Sequence, residues 1–177
     1  MALHQYETGD KGVAARATGE GRFQTRIALR GGAILADEPA EVGGLDSGPT
    51  PYELLSAALA ACTSMTMRLY AERKKWTLPE FEVSVAHSLL PGASDEAPRD
   101  LFTRRIAFDS SVGADEEKRL LEIADRCPVH RTFMRGFKVV TETAPAEAPP
   151  LDPADRPEQH ERDMEQACAE EDESQPS

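Results

Sequence analysis

The spacing of hydrophobic positions changes period several times before residue 144, and each change predicts a different element. Between Arg22 and Arg30 strict alternation sets Phe23, Thr25, Ile27 and Leu29 on one face and Arg22, Gln24, Arg26, Ala28 and Arg30 on the other, which predicts a half-buried strand. Gly31-Gly32 supplies a turn, and Ala33 to Ala36 returns as the second arm of a hairpin. Beyond the Gly43-Gly44 loop, Thr50-Pro51-Tyr52-Glu53 joins an N-cap Thr, a Pro at the first helical position and a Glu at the third, a capping box. The helix it opens runs to Lys74-Lys75, whose charges suit a C-terminal dipole. Its first turns are apolar on nearly every side, so it is predicted to be central and buried.

A second hairpin follows. Phe81, Val83, Val85, His87 and Leu89 alternate with Glu80, Glu82, Ser84, Ala86 and Ser88, and after a Pro/Gly/Asp loop Phe102, Ile106 and Phe108 mark the partner strand, with Arg104 on the same side. Ala114 to Arg126 returns to helical spacing through Leu120, Leu121, Ile123 and Ala124, with Asp115, Glu116 and Glu117 in its first turn. Cys127 ends it. Pro128 then suits the first position of a short helix through Met134, closed by Gly136, before a last strand from Phe137 to Glu142. The predicted fold is α+β, with the order ββ-α-ββ-α-β.

Composition changes this picture mainly at the C-terminus. Of the net charge of -12, residues 145 to 177 carry -9, from 11 Asp/Glu against Arg156 and Arg162, and they hold six of the 13 prolines. Such a segment lacks the means to bury a core, so 145–177 is predicted to be a disordered acidic tail and 1–144 the folded domain, with a transient helix near 156 to 171. The nearly balanced remainder has no basic cluster for nucleic-acid phosphates. The longest apolar run, Leu54 to Met65, is too short to span a bilayer, and residues 1 to 20 hold no secretory h-region. The expectation is a cytoplasmic protein that binds neither nucleic acid nor membrane.

Three cysteines, at 62, 127 and 168, are too few and scattered for a disulfide framework. Cys62, mid-helix between Ala61 and Thr63, has the ordinary reading of a small core residue, although the alanines around it would admit a second helix or a substrate. Cys127 stands just outside the helix that Pro128 begins and is flanked by Arg126, His130 and Arg131, a setting that favours thiolate. It also reads as an apolar contact at a helix stop. Arg26 and Arg30 protrude from one strand face and could stabilise an anion, or simply be solvated. His87 on an apolar face is commonly a hydrogen-bonded core histidine, and His130 could pair with Cys127. Glu53 has its role in the capping box. Cys168 and His160 lack a second pair at metal-ligand spacing, and no phosphate loop, HExxH or GxSxG is present, so neither metal nor cofactor is expected.

Taken together, GGLDSGPTPYELLSAALAACTSMTMRLYAERKKW (43 to 76) and LLEIADRCPVHRTF (120 to 133) resemble the two signature regions of the OsmC/Ohr family, with the cysteines 65 positions apart. The GPTPYELL and CPVHRT wording is similar to the OsmC-like branch sometimes fused to a hydrolase domain. The resemblance covers about residues 20 to 143. It implies an intertwined homodimer and a peroxiredoxin-like antioxidant activity, a thiol peroxidase acting on organic hydroperoxides. Cys62 would be the peroxidatic thiol, Cys127 the resolving one, Arg26 or Arg30 the cation at the thiolate, and an external dithiol of the lipoyl type the reductant. In active relatives a Glu stands ten positions before the first Cys. Here that position is Tyr52, and Glu53 faces about 100° away on the helix. A non-catalytic protein of the same fold, binding a small apolar or electrophilic ligand at the dimer interface, is the alternative. An interaction module using the acidic tail is a third.

Overall fold

The computed structural model describes residues 12–91, 99–143, 145 and 157–173. These fall into two compact units, one within Met1–Leu54 and Val140–Arg156 and the other within Leu55–Val139 and Pro157–Ser177.

In the first unit β1 (Ala14–Ala17), β2 (Thr25–Leu29) and β3 (Gly32–Ala36) form an antiparallel sheet in that order. The predicted hairpin is present, with Leu29 opposite Gly32 and Thr25 opposite Ala36. Its turn is Arg30-Gly31, one residue earlier than expected, and Gly31 takes the positive φ of 79° that a side chain would resist. β1 has no counterpart in the expected order. Its sequence, AARA, carries no alternation, and it exists through its ladder to β2, Ala15 facing Ile27.

The loop after β3 is organised by the buried Asp37. Its carboxylate accepts from Ser47 Oγ (2.7 Å), Glu38 N (2.9 Å), Leu45 N (3.0 Å) and Ser47 N (3.4 Å). The Ser47 hydroxyl and then the amides hold this carboxyl below the usual carboxylate range, against the opposing effect of burial. Two glycines permit the close backbone approach: a Cβ at Gly44 would sit 1.7 Å from the Glu38 carbonyl oxygen, and one at Gly48 2.2 Å from that of Leu35.

α1 (Pro51–Lys74) begins as the sequence predicts. Thr50 N donates to Glu53 Oε2 (2.7 Å) and Glu53 N to Thr50 Oγ1 (3.2 Å), the reciprocal bonds of a capping box. At 24 residues it is, among the described helices, the one long and apolar enough to match a membrane span. Its buried positions nonetheless include Ser56, Cys62, Thr63 and Thr66.

The second unit adds the hairpin β4 (Phe81–Leu89) and β5 (Asp100–Phe108), then α2 (Ala114–Ala124), α3 (Pro128–Arg135) and α4 (Pro157–Glu173). Register pairs Phe81 with Phe108, Val83 with Ile106 and Val85 with Arg104 on the inward face, as the alternation requires. The core divides into two clusters. One gathers Met67, Tyr70, Leu120, Ile123, Ala124 and Cys168, and the other Leu59, Cys62 and Cys127, lined by Val85, Phe102, Val129 and Phe133.

Two expectations fail here. No strand forms over 137–142, where Phe137, Val139 and Val140 are about three-quarters exposed. Alternation supplies a strand's faces but not the ladder partner that satisfies its backbone groups. Second, the acidic tail is not solvated throughout: α4 stands close to the helix expected near 156 to 171, docked instead of transient. His160, Met164, Ala167 and Cys168 recur at helical spacing, and the last two are fully buried. Arg73 Nη1 donates to Glu165 O (3.0 Å), and Arg131 pairs with Glu170. Small residues made this stripe hard to see beneath the charges. The remaining tail residues, 146–156 and 174–177, lie outside the described ones.

Two measurements check this packing. Ile123→Ala removes a fully buried side chain from the larger cluster and should cost about 2–5 kcal/mol in urea unfolding. Iodoacetamide should label Cys168 far more slowly in native protein than in urea, and labelling at the rate of a free thiol would exclude a docked α4.

Candidate functional site

Cys62 and Cys127 come together from different elements. Cys62 lies on the buried side of α1, one residue before Thr63, and Cys127 is the N-cap of α3. Pro128 sets this second position: it ends the preceding segment, serves as the first residue of α3, and leaves the Cys127 sulfur facing the open amides of the first turn. His130 N donates to Cys127 Sγ at 3.4 Å. Val129 N donates to Cys62 Sγ at 3.5 Å, so the start of α3 touches both sulfurs. The two thiols sit in one core cluster and are almost wholly shielded from solvent.

The surroundings treat the pair unequally. The hydrogen bond it makes to Cys127, followed by burial, pushes the Cys62 thiol well up, and the Val129 amide opposes this only in part. Cys127 is drawn down to about 6 by the hydrogen bond from Cys62, those of Thr63 and the His130 amide, and the charge of Arg104, all against burial. The pair shares one negative charge, and its better-supported seat is Cys127.

Arg104 was not among the residues expected at the site. It rises from the inward face of β5 between Phe102 and Ile106, and its side chain is only 14% exposed. Nη1 donates to Ala124 O at the end of α2 (2.8 Å) and to Thr63 Oγ1 (3.1 Å), while Nη2 pairs with Asp125 Oδ1 (2.5 Å). Thr63 Oγ1 lies 3.5 Å from Cys127 Sγ. With Arg104 donating into its oxygen, the hydroxyl hydrogen is the one left to point at the sulfur. A lone Arg in the alternation Phe102, Arg104, Ile106, Phe108 is the signal that marks this residue.

The other expected residues take different places. His87 Nε2 bonds Asp100 Oδ1 at 2.7 Å and its ring lies 4.9 Å from that of Phe102, the arrangement of a core histidine. Phe102 in turn meets Phe133 at 5.0 Å. His130 reaches Cys127 through its main-chain amide. Burial, then the Arg104 charge, lower its imidazole pKa, so the ring is neutral near pH 7. Glu53 is engaged in the capping box, and Tyr52 is half exposed on α1. Arg26 and Arg30 are exposed in the first unit, Arg26 in the ladder between Arg16 and Leu35 and Arg30 in the hairpin turn.

A depressed thiol makes stability pH-dependent. In the unfolded chain Cys127 keeps its proton up to about pH 8.5, whereas the folded protein releases it near pH 6, so between these values the unfolded state binds more protons. The contribution of Cys127 is therefore full above the upper value and lost as pH falls through about 6. Urea midpoints of the reduced protein and of Cys127→Ala should diverge from pH 6 to pH 8.5, and a constant gap would exclude a native thiolate at this position.

A family model described as "OsmC-like protein" matches residues 44–142. Among curated proteins no sequence matches this chain. Solved structures similar to it include an OsmC-like protein from Mycoplasma pneumoniae, 21% identical with a TM-score of 0.59, covering 70% of this chain and 86% of that one. The organic hydroperoxide resistance protein OhrB of Bacillus subtilis is 20% identical with a TM-score of 0.53, over 69% of this chain and 88% of its own. An organic hydroperoxide resistance protein OsmC from Legionella pneumophila is 19% identical with a TM-score of 0.53, over 70% and 88%. At these identities the likeness is one of fold, and it agrees with the mixed α+β architecture.

Proposed function

The chain belongs to the OsmC-like family, whose model matches more than half of it, and on that premise we propose that it reduces organic hydroperoxides with a Cys62/Cys127 redox pair. The observation that carries the reading is that two cysteines 65 positions apart meet in one buried cluster, where the first-turn amides of α3 reach both sulfurs. The hydroperoxide resistance named for two of the similar structures supports the choice of oxidant.

In the proposed cycle the Cys62 sulfur attacks the terminal oxygen of the hydroperoxide. The O–O bond breaks, the alkoxide leaves and is protonated to the alcohol, and Cys62 becomes a sulfenic acid. Cys127 thiolate then attacks that sulfur and expels hydroxide, which takes a proton from solvent and leaves as water, giving a Cys62–Cys127 disulfide. An external dithiol, of the lipoyl type in this proposal, returns two electrons and is itself oxidised to a disulfide. The surroundings of Leu59, Val85, Phe102 and Phe133 suit an organic rather than a highly polar peroxide.

The proposal includes a homodimer. Leu55, Ala58, Ala61 and Met65 form an exposed small and apolar stripe along α1, which a second copy of the same helix would cover. A cytoplasmic setting, where glutathione and thioredoxin keep thiols reduced, suits the resting pair. One contact favours the rival, ligand-binding reading: Glu53 is committed to the helix cap instead of to an activating pair with an arginine.

Mixing reduced protein with cumene hydroperoxide decides between them. The peroxidase should lose two thiols per chain and yield a peptide-mapped Cys62–Cys127 disulfide, and Cys62→Ser should abolish both. Unchanged thiols in the wild-type protein would leave the ligand-binding reading.

A further inference from the structure

A thiol pair with one shared charge needs something to decide where that charge resides. Around Cys62 the decision is weak: the Val129 amide approaches its sulfur and the Thr66 hydroxyl adds a smaller effect, with no cation among the described residues behind either. Around Cys127 three groups converge from three elements. His130 N comes from α3, Thr63 Oγ1 from α1, and behind Thr63 stands Arg104 from β5. The charged and titratable groups acting on this sulfur are Arg104, whose charge the Asp125 carboxylate partly offsets, and Cys62 itself, while His130 meets it through its amide.

We propose that Arg104, acting through the Thr63 hydroxyl, is a positioning residue that fixes the negative charge of the reduced pair on Cys127 and leaves the proton on Cys62. Its guanidinium holds the Thr63 oxygen from one side, so the hydroxyl donates to Cys127 on the other. The same fork is anchored by Ala124 O and Asp125, which keeps the cation from swinging away. Beyond the sequence motifs, this assigns Arg104 and Thr63 to the redox site.

The consequence for turnover rests on the peroxidase reading. Cys62 hands its proton to Cys127 as it attacks the peroxide, Cys127 gives that proton to the departing alkoxide, and the regenerated thiolate closes the disulfide. On reduction, a thiolate of the external dithiol forms a bond to Cys62 sulfur, and the electron pair of the Cys62–Cys127 bond goes to Cys127, the better-stabilised leaving group. The second thiol of the reductant, deprotonated, then displaces Cys62. The mixed disulfide therefore forms on Cys62.

The test separates the charge assignment from the enzyme reading because its first arm needs no peroxide. Peptide-resolved iodoacetamide labelling against pH in Cys62→Ser protein should show Cys127 titrating below an ordinary thiol. Arg104→Met in the same background should raise that midpoint by roughly one pH unit or more, while Arg104→Lys should restore most of the difference. Because Arg104 also caps α2, melting temperatures are recorded alongside. A lower Tm with an unmoved midpoint would confine Arg104 to that structural role and overturn the proposal, as would a Cys62 in Cys127→Ser protein that titrates lower than Cys127. In the second arm, disulfide-form protein is treated with 2-mercaptoethanol and acid-quenched; adducts on Cys62 are expected, and adducts mainly on Cys127 would refute the leaving-group order. If the labelling shifts as expected but cumene hydroperoxide never forms the disulfide, the charge assignment stands and the peroxidase reading falls.

Discussion

The burial of Arg104 is the constraint on which the second unit turns. A guanidinium on the inward face of a strand, between Phe102 and Ile106, would be strongly destabilising without partners, so the neighbouring elements must supply them. They do so from three directions: the Ala124 carbonyl at the end of α2, the Asp125 carboxylate that follows it, and the Thr63 hydroxyl on α1. Satisfying one cation thus fixes the end of α2 against both the sheet and the long helix. The chain leaves α2 just there and turns into Cys127, so the same requirement places the second cysteine beside the first.

How much of this was legible in the sequence depends on the range of the interaction. Elements defined by their own residues were readable: the Thr50/Glu53 capping box, the alternation of β4 and β5, and the α3 boundaries set by Pro128 and Gly136. Elements defined by a partner were not. β1 has no pattern of its own and is specified by its ladder to β2, whereas Phe137 to Glu142 has the pattern and forms no ladder. α4 fell between these cases. Its charges announce a solvated segment, yet Ala167 and Cys168 are small enough to seat the helix closely against the cluster of Met67, Tyr70 and Ile123.

The site shows the same division. Two cysteines could be picked out from their flanking motifs, and the structure brings them into one cluster. Which cation attends them was less readable. Arg26 and Arg30 were the natural candidates because they stand out on a strand face, and both prove exposed in the first unit. The parity of Arg104 with Phe102 and Ile106 was readable, Arg105 sharing the outward face with Thr103 and Ala107, but its partners Thr63, Ala124 and Asp125 lie on other elements and left no local signal.

Parity on a strand has its counterpart in position along a helix, and this explains why two similar thiols differ. Within α1 the amides around Cys62 are spent on the helix's own carbonyls, and the hydroxyl of Thr66, which bonds the Cys62 carbonyl at 2.8 Å, lowers the thiol only slightly. A mid-helix cysteine therefore meets few donors, and beside Cys127 the raising effects of its partner and of burial prevail. At an N-cap the situation reverses, since the first-turn amides have no internal acceptor and the helix dipole adds its positive end. The asymmetry of the pair is thus set by two contributions that act together on Cys127, the cap position that Pro128 creates and the Thr63 hydroxyl that Arg104 orients.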